Sequence, residues 1–223
     1  MSEQRYKYPR TTHLPWSRTV SADDLVYHPR NDLSIYSQDT EVVITEKMDG
    51  ENTTIYSDGV HARSIDSQGH PSRDWVRMFQ GQIGHLIPSG MRLCGENLYA
   101  RHSIAYHDLS SFFLLFSLWE DERCLSWDET EEWSELLEIP LVPVLYRGGW
   151  NEEVARDLCS ELNLDHQEGY VVRPTCTFSR DEFSDVVYKW VRPHHVQTDD
   201  HWMYQPVVPN HLYQQLSDSG EED

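Results

Sequence analysis

The stretch TEKMDGENTTIY, Thr45 to Tyr56, carries one of only three lysines in a chain of 223 residues, the others being Lys7 and Lys189. It opens within EVVITEK (41–47), a run dominated by β-branched residues, and breaks at Met48-Asp49-Gly50. It resumes in NTTIYSDGVHARSID (52–66), where β-branched residues alternate with polar ones on either side of Asp58-Gly59, a hairpin signal. Lys47 therefore sits at a strand end, just before a turn whose glycine permits a tight bend and close approach of a phosphate. A lysine held there can attack phosphorus when neutral, and burial or a neighbouring cation favours that state. Taken alone, Lys47 reads first as a surface cation paired with Glu46 or Asp49.

Outward from this turn the pattern continues as a mixture. Trp75, Val76, Phe79 and Ile83 have helical spacing within 73–86, and Pro88 follows. Strands resume at 91–94 and at 111–119, the second a continuous apolar run suited to the centre of a sheet. Helices are expected at 127–137, with Ser126 and Glu129 as a capping box, and at 151–162 behind Asn151. EGYVVR (168–173) and DVVYKWVR (185–192) complete the strands. Antiparallel hairpins interrupted by helices predict an α+β fold and not a doubly wound sheet. Residues 1–40 read as an irregular lead-in with a short helix from Ser21, 41–193 as the main domain, 194–215 as a segment packing on it, and 216–223 as a mobile acidic tail.

Eighteen basic against thirty-eight acidic residues give a formal charge of -20, which excludes a general electrostatic grip on nucleic acid. Any polyanion must meet a local basic site. The lysine-poor, acidic surface suits a salt-rich cytoplasm as well as an ordinary acidic protein. Cys94, Cys124, Cys159 and Cys176 form no CxxC pair, so reduced, mostly buried thiols are expected. No signal core or membrane-spanning apolar segment is apparent, so a cytoplasmic protein without a membrane partner is expected. His194, His195 and His201 match no zinc spacing and read as polar elements of the final segment.

Further segments follow Lys47-Met48-Asp49-Gly50 in a fixed order: Asn52; Arg63; Gly95-Glu96; Phe116; Glu168-Gly169 through Arg173; and Lys189. Over 41–192 the sequence resembles the covalent lysine nucleotidyltransferases, the superfamily of ATP-dependent ligases and mRNA capping enzymes, and within it the ATP-dependent RNA ligases. The resemblance implies an ATP-grasp-like adenylation domain of antiparallel sheets with flanking helices. It implies Lys47 as the atom carrier of the nucleotide, with Lys189 as the second catalytic cation. Glu46, Asp49, Gly50, Asn52, Arg63, Glu96, Phe116, Arg173 and Lys189 would contact ATP, and Glu168 would bind Mg2+ or Mn2+. Glu96 would take the ribose hydroxyl and Phe116 would stack on the base, with Phe113 the alternative.

Three departures from the family pattern stand out. Ser117 replaces the usual aspartate, Arg173 the usual lysine, and VYKWVR has one lysine where the family has K-x-K, so Lys189 aligns with either. Asn52, in place of arginine, points to RNA ligases. A DNA ligase or a capping guanylyltransferase normally carries a following OB-fold domain, for which the thirty or so residues after Arg192 are too few. The implied function is sealing of RNA 5′-phosphate and 3′-hydroxyl ends, with a partner subunit assisting RNA capture. The alternative from another class is a catalytically inactive nucleic-acid-binding or assembly protein on the same fold.

Overall fold

The computed structural model describes residues 3–17, 36–66, 69–193 and 206–213. The helix expected from Ser21, the histidines His194, His195 and His201, and the tail from Leu216 lie outside the described residues.

Two sheets face each other. The first has the order β1 (Thr12–His13), β11 (Tyr188–Val191), β9 (Gly169–Pro174), β2 (Glu41–Lys47), β8 (Val144–Gly149). All its pairs are antiparallel except β1–β11. The second has the order β10 (Phe178–Ser179), β7 (Arg123–Cys124), β6 (Phe113–Glu120), β5 (Met91–Asn97), β3 (Glu51–Tyr56), β4 (Gly59–Ala62), antiparallel throughout. Lys47 ends β2 in the first sheet and Glu51 begins β3 in the second, so the turn between them joins the two layers.

Strand alternation divides the apolar residues among three cores. Val43, Cys94, Leu114, Phe116 and Trp119 fill the space between the sheets. Val42, Ile44, Tyr170 and Val172 pack outward beneath α3 (Glu152–Glu161), which buries Ala155 and Leu158 and is capped by Asn151. Ile55, Leu93, Phe113, Leu115 and Leu118 face Val76 and Ile83 of α1 (Asp74–Ile83). The run at 113–119 is apolar on both faces because it is covered on both. Between Cys94 and Gly95 the β5–β6 register shifts, leaving Phe116 as an extra residue. That bulge keeps Phe116 and Trp119 on the inter-sheet side although they are three positions apart.

α2 (Trp127–Leu136) starts at the expected Ser126–Glu129 capping box. Helix 73–86 resolves into α1 flanked by 3-10 turns at Pro71–Arg73 and Gly84–Leu86. The strand expected from Asp185 starts only at Tyr188, because Phe183 and Val186 bury one turn of helix, α4 (Phe183–Val186), first. The irregular lead-in is packed into two cores: Tyr8 lies between the sheets, and Leu14 and Tyr36 lie on the α3 side. All four cysteines are free, but only Cys94 and Cys124 are buried; Cys176 is exposed. No helix of the described residues is long and apolar enough to cross a membrane.

Candidate active site

Pairing of β2 with β9 sets Lys47 opposite Gly169, and the preceding Glu168 turns its carboxylate, only 1% exposed, onto the Lys47 ammonium. The Lys47 side chain keeps 23% exposure. Burial, the largest influence, acts against its charge. The charges of Glu168 and Glu96, the Glu168 hydrogen bond and Asp49 outweigh burial, so the lysine is held above its ordinary pKa. In this state Lys47 is an ammonium clamped by carboxylates.

Glu96 reaches the turn from the facing sheet, its Oε1 accepting from the Gly50 amide at 3.2 Å. Burial pushes this carboxyl up to about 8 despite the Lys47 charge, and Glu168 and Asp49 push the same way. Asn52 is its direct cross-strand partner on β3. The Asn52 Oδ1 is buried and accepts no hydrogen bond among the described residues. Arg63 follows β4 one step past the Thr53–Ala62 pair, which sets it level with Asn52. Lys189 on β11 pairs with Val171, which pairs with Thr45. It therefore shares the Lys47 face of the sheet, about 10 Å across two strand spacings, and is 9% exposed.

Three glycines hold this cluster in place by excluding a side chain. A Cβ on Gly50 would meet the Asn97 carbonyl oxygen at 2.6 Å, one on Gly95 the Leu114 carbonyl oxygen at 2.5 Å, and one on Gly169 the Trp190 carbonyl oxygen at 2.0 Å. Each adjoins or lies near a chemical residue: Lys47, Glu96 and Glu168. Close backbone approach fixes all three carriers.

Other expected residues lie apart from this cluster. Glu46 is one residue out of phase with Lys47 and level with Tyr170; its carboxylate accepts from Gln167 Nε2 at 2.8 Å. The Asp49 carboxylate accepts from Ser103 Oγ and the Ile104 amide, both at 2.7 Å, while its own amide donates to the Tyr106 hydroxyl at 3.0 Å. Asp49 thus anchors the 98–112 loop. Arg173 pairs with Val43, four positions down the ladder from Lys47. Its guanidinium donates to the Phe116 carbonyl and lies between the Phe116 and Trp127 rings, 5.6 and 5.8 Å from their centroids. Phe116 faces the inter-sheet space beside Tyr8, with ring centroids 5.3 Å apart, whereas Phe113 faces α1. Arg192 holds the segment before Glu168, its amide donating to the Glu168 carbonyl at 2.9 Å and its guanidinium to the Leu164 carbonyl.

Several supporting residues had no sequence signal. Arg73 grips Glu51, beside the Lys47 turn, with Nε–Oε2 at 2.7 Å. Asn210 clips the 98–112 loop, its Nδ2 donating to the Leu98 carbonyl at 2.8 Å and its Oδ1 accepting from the Tyr106 amide at 3.0 Å. The first contact spans 22 residues and those of Asn210 more than 100, and neither has a local pattern.

Among solved structures, two described as forms 2 and 1 of an archaeal ATP-dependent RNA ligase align with TM-scores of 0.52. They have 17% and 18% identity, cover 72% and 80% of this chain, and are covered over 45% and 48% of their own length. A protein described as an ATP-dependent DNA ligase from Aquifex aeolicus aligns at 0.51 with 18% identity, covering 84% of this chain and 50% of that one. At such identities the likeness is one of fold, and the chain spans about half the length of these structures. No curated protein sequence gives a match. The family model described as RNA ligase matches residues 40–191, the interval that carries Lys47, Glu96, Glu168 and Lys189, and the chain therefore belongs to the RNA ligase family.

Proposed function

We propose that the chain is an ATP-dependent RNA ligase, acting through a covalent lysyl-AMP and an adenylylated RNA end. The observation that carries this reading is the placement of Lys47 at the junction of the two sheets, beside Glu168 and opposite Glu96, where close backbone approach at Gly50, Gly95 and Gly169 leaves no room for a side chain. Lys47 would attack the ATP α-phosphorus through its neutral amine, forming an N–P bond as pyrophosphate leaves with the P–O bonding electrons. A 5′-phosphate of RNA then takes the AMP from Lys47, and a 3′-hydroxyl displaces AMP to form the phosphodiester.

Glu96 is suited to a ribose hydroxyl, and Asn52, with its unpartnered buried carbonyl oxygen, to a donor on the nucleotide or its water. Phe116 is the aromatic suited to stack on the purine in this reading, its ring lying on the inter-sheet side beside Tyr8 and Arg173. Lys189 shares the Lys47 face and is suited to phosphate. Among the described residues no three His, Cys, Asp or Glu side chains converge into a metal cage. Glu168 instead fits Mg2+ or Mn2+ held by one or two carboxylates with phosphate and water, and such an ion would offset charge developing on the phosphates. Once Glu168 and Glu96 are turned to these partners, burial favours the neutral Lys47 amine. Arg173 and Asp49 serve in this reading through Phe116 and the 98–112 loop. The free cysteines accord with a cytoplasmic setting, and the charge of -20 with a partner subunit that aids RNA capture.

The test is incubation with ATP labelled at the α-phosphate, with Mg2+ or Mn2+, at low and high salt, beside Lys47→Ala. A label that survives denaturation and is lost in the variant is expected. Absence of label from ATP and GTP in every salt would overturn the reading in favour of an inactive binding protein.

A further inference from the structure

The chain averages one acid in about six residues, yet one lobe of it is nearly free of them. The 98–112 loop contains a single acid, Asp108, and the 206–213 segment contains none. These two stretches form one body. The Arg101 amide donates to the Val208 carbonyl at 2.8 Å, the Asn210 amide to the Tyr99 carbonyl at 2.9 Å, and the Tyr213 amide to the Leu109 carbonyl at 2.8 Å. The lobe is tied to the reactive lysine through the two hydrogen bonds that Asp49 accepts from Ser103 and Ile104.

Its outer surface carries Arg101, His107, His211 and Tyr213, all exposed, Tyr213 by 67%. The His107 and His211 rings are stacked at 5.7 Å with 14° between planes. Beside them is a hollow of about 580 Å³ lined by Asp108, Leu109, Ser110 and Tyr213. An exposed arginine and exposed aromatic faces, with Asp108 the one carboxylate in these two stretches, suit a single-stranded polynucleotide, since phosphates need positive charge and every base offers a face for stacking. On a surface of net charge -20, such a strand is repelled nearly everywhere else.

We infer that the 98–112 and 206–213 lobe is the docking surface for the terminal nucleotides of the RNA strand presented to Lys47. The inference rests on the RNA ligase reading and adds where the polynucleotide lies. Tyr213 and the His107–His211 stack support bases, Arg101 meets backbone phosphate, and the Asp49 anchor keeps the strand end in register with the lysine.

The experiment measures binding of a fluorescently labelled 5′-phosphorylated oligoribonucleotide to the full chain. Tyr213→Ala, Arg101→Glu and the pair His107→Ala/His211→Ala are compared with Arg123→Ala, a control at the far end of the second sheet. Unfolding temperatures establish that the variants fold. Each lobe variant is expected to weaken binding about tenfold, and the control to leave it unchanged. Equal affinities in folded lobe variants and wild type would overturn the inference. So would loss of self-association in those variants with RNA affinity intact, which would assign the lobe to a protein contact. The ATP label on wild-type protein separates the two readings: a labelled protein whose RNA affinity ignores the lobe keeps the ligase and loses the docking surface.

Discussion

Replacing Lys47 by methionine removes the charge while keeping the length of the side chain, and strands the Glu168 carboxylate, 1% exposed, beside Glu96. A contact pair is worth about 4 kcal/mol gross at an effective dielectric constant of ~20. Breaking a buried pair from one side costs about 3–5 kcal/mol because the remaining charge stays desolvated. The 23% exposure of Lys47 admits water to the pair, so the lower end, about 3 kcal/mol, is expected. Glu168→Gln should cost less, about 1–2 kcal/mol, since Lys47 retains Asp49 as a counter-charge and can reach solvent. The double variant should then lie well short of the sum, with a coupling of about 2 kcal/mol. Urea unfolding at fixed ionic strength, with unchanged m-values, gives all four stabilities. A Lys47→Met loss below about 1 kcal/mol, or strict additivity, would mean that the pair is not a buried clamp, and the account of how Lys47 is held charged would fall with it.

Gly169→Ala places a Cβ 2.0 Å from the Trp190 carbonyl oxygen and 3.1 Å from the Val191 Cα, both backbone atoms that cannot swing aside. A cost of about 3 kcal/mol, or roughly 6–12 °C in unfolding temperature, is expected; a drop under about 2 °C would show that β9 and β11 are not so closely apposed. Burial holds the Glu96 carboxyl up to about 8, well above the ordinary carboxylate range near 4.5. The folded protein therefore binds the extra proton, and stability falls as pH rises from about 4.5 to about 8. Glu96→Gln abolishes that slope, so its gain in unfolding temperature over wild type should be larger at pH 8.5 than at pH 5, and an equal gain at both would contradict the burial of this carboxyl.

Local patterns made most elements legible. EVVITEK, the Asp58-Gly59 hairpin and the capped helices depend on neighbours a few residues away, and they appear where expected. The short strands β1, β7 and β10 could not be read, because two residues have no periodicity and exist only through their partners. At the site, the order of glycines and charged residues singled out Lys47, Glu96, Glu168 and Lys189, whereas their convergence between two sheets is a matter of strand pairing. The same reading could not tell that Glu46 is out of phase with Lys47, that Asp49 is engaged by Ser103, or that Arg173 lies four rungs away, since those facts depend on side-chain direction. Alternation alone sets Phe116 on the inter-sheet face and Phe113 on the α1 face, but the bulge at Phe116, which returns Trp119 to the Phe116 side, leaves no mark in a run of apolar letters.

The first sheet joins segments far apart in sequence: β1 lies against β11, and Tyr8 meets the ring of Phe183 at 5.4 Å. Glu168 cannot be fixed against Lys47 until β9 has emerged, and β9 has no neighbour on its far side until β11 follows. At ~5–20 residues per second, a nascent chain spends several seconds with β2 made and its partners unmade. Assembly of the reactive centre thus waits until β9 and β11 have both emerged, and a fragment released earlier by the ribosome carries Lys47 without the carboxylate that restrains it.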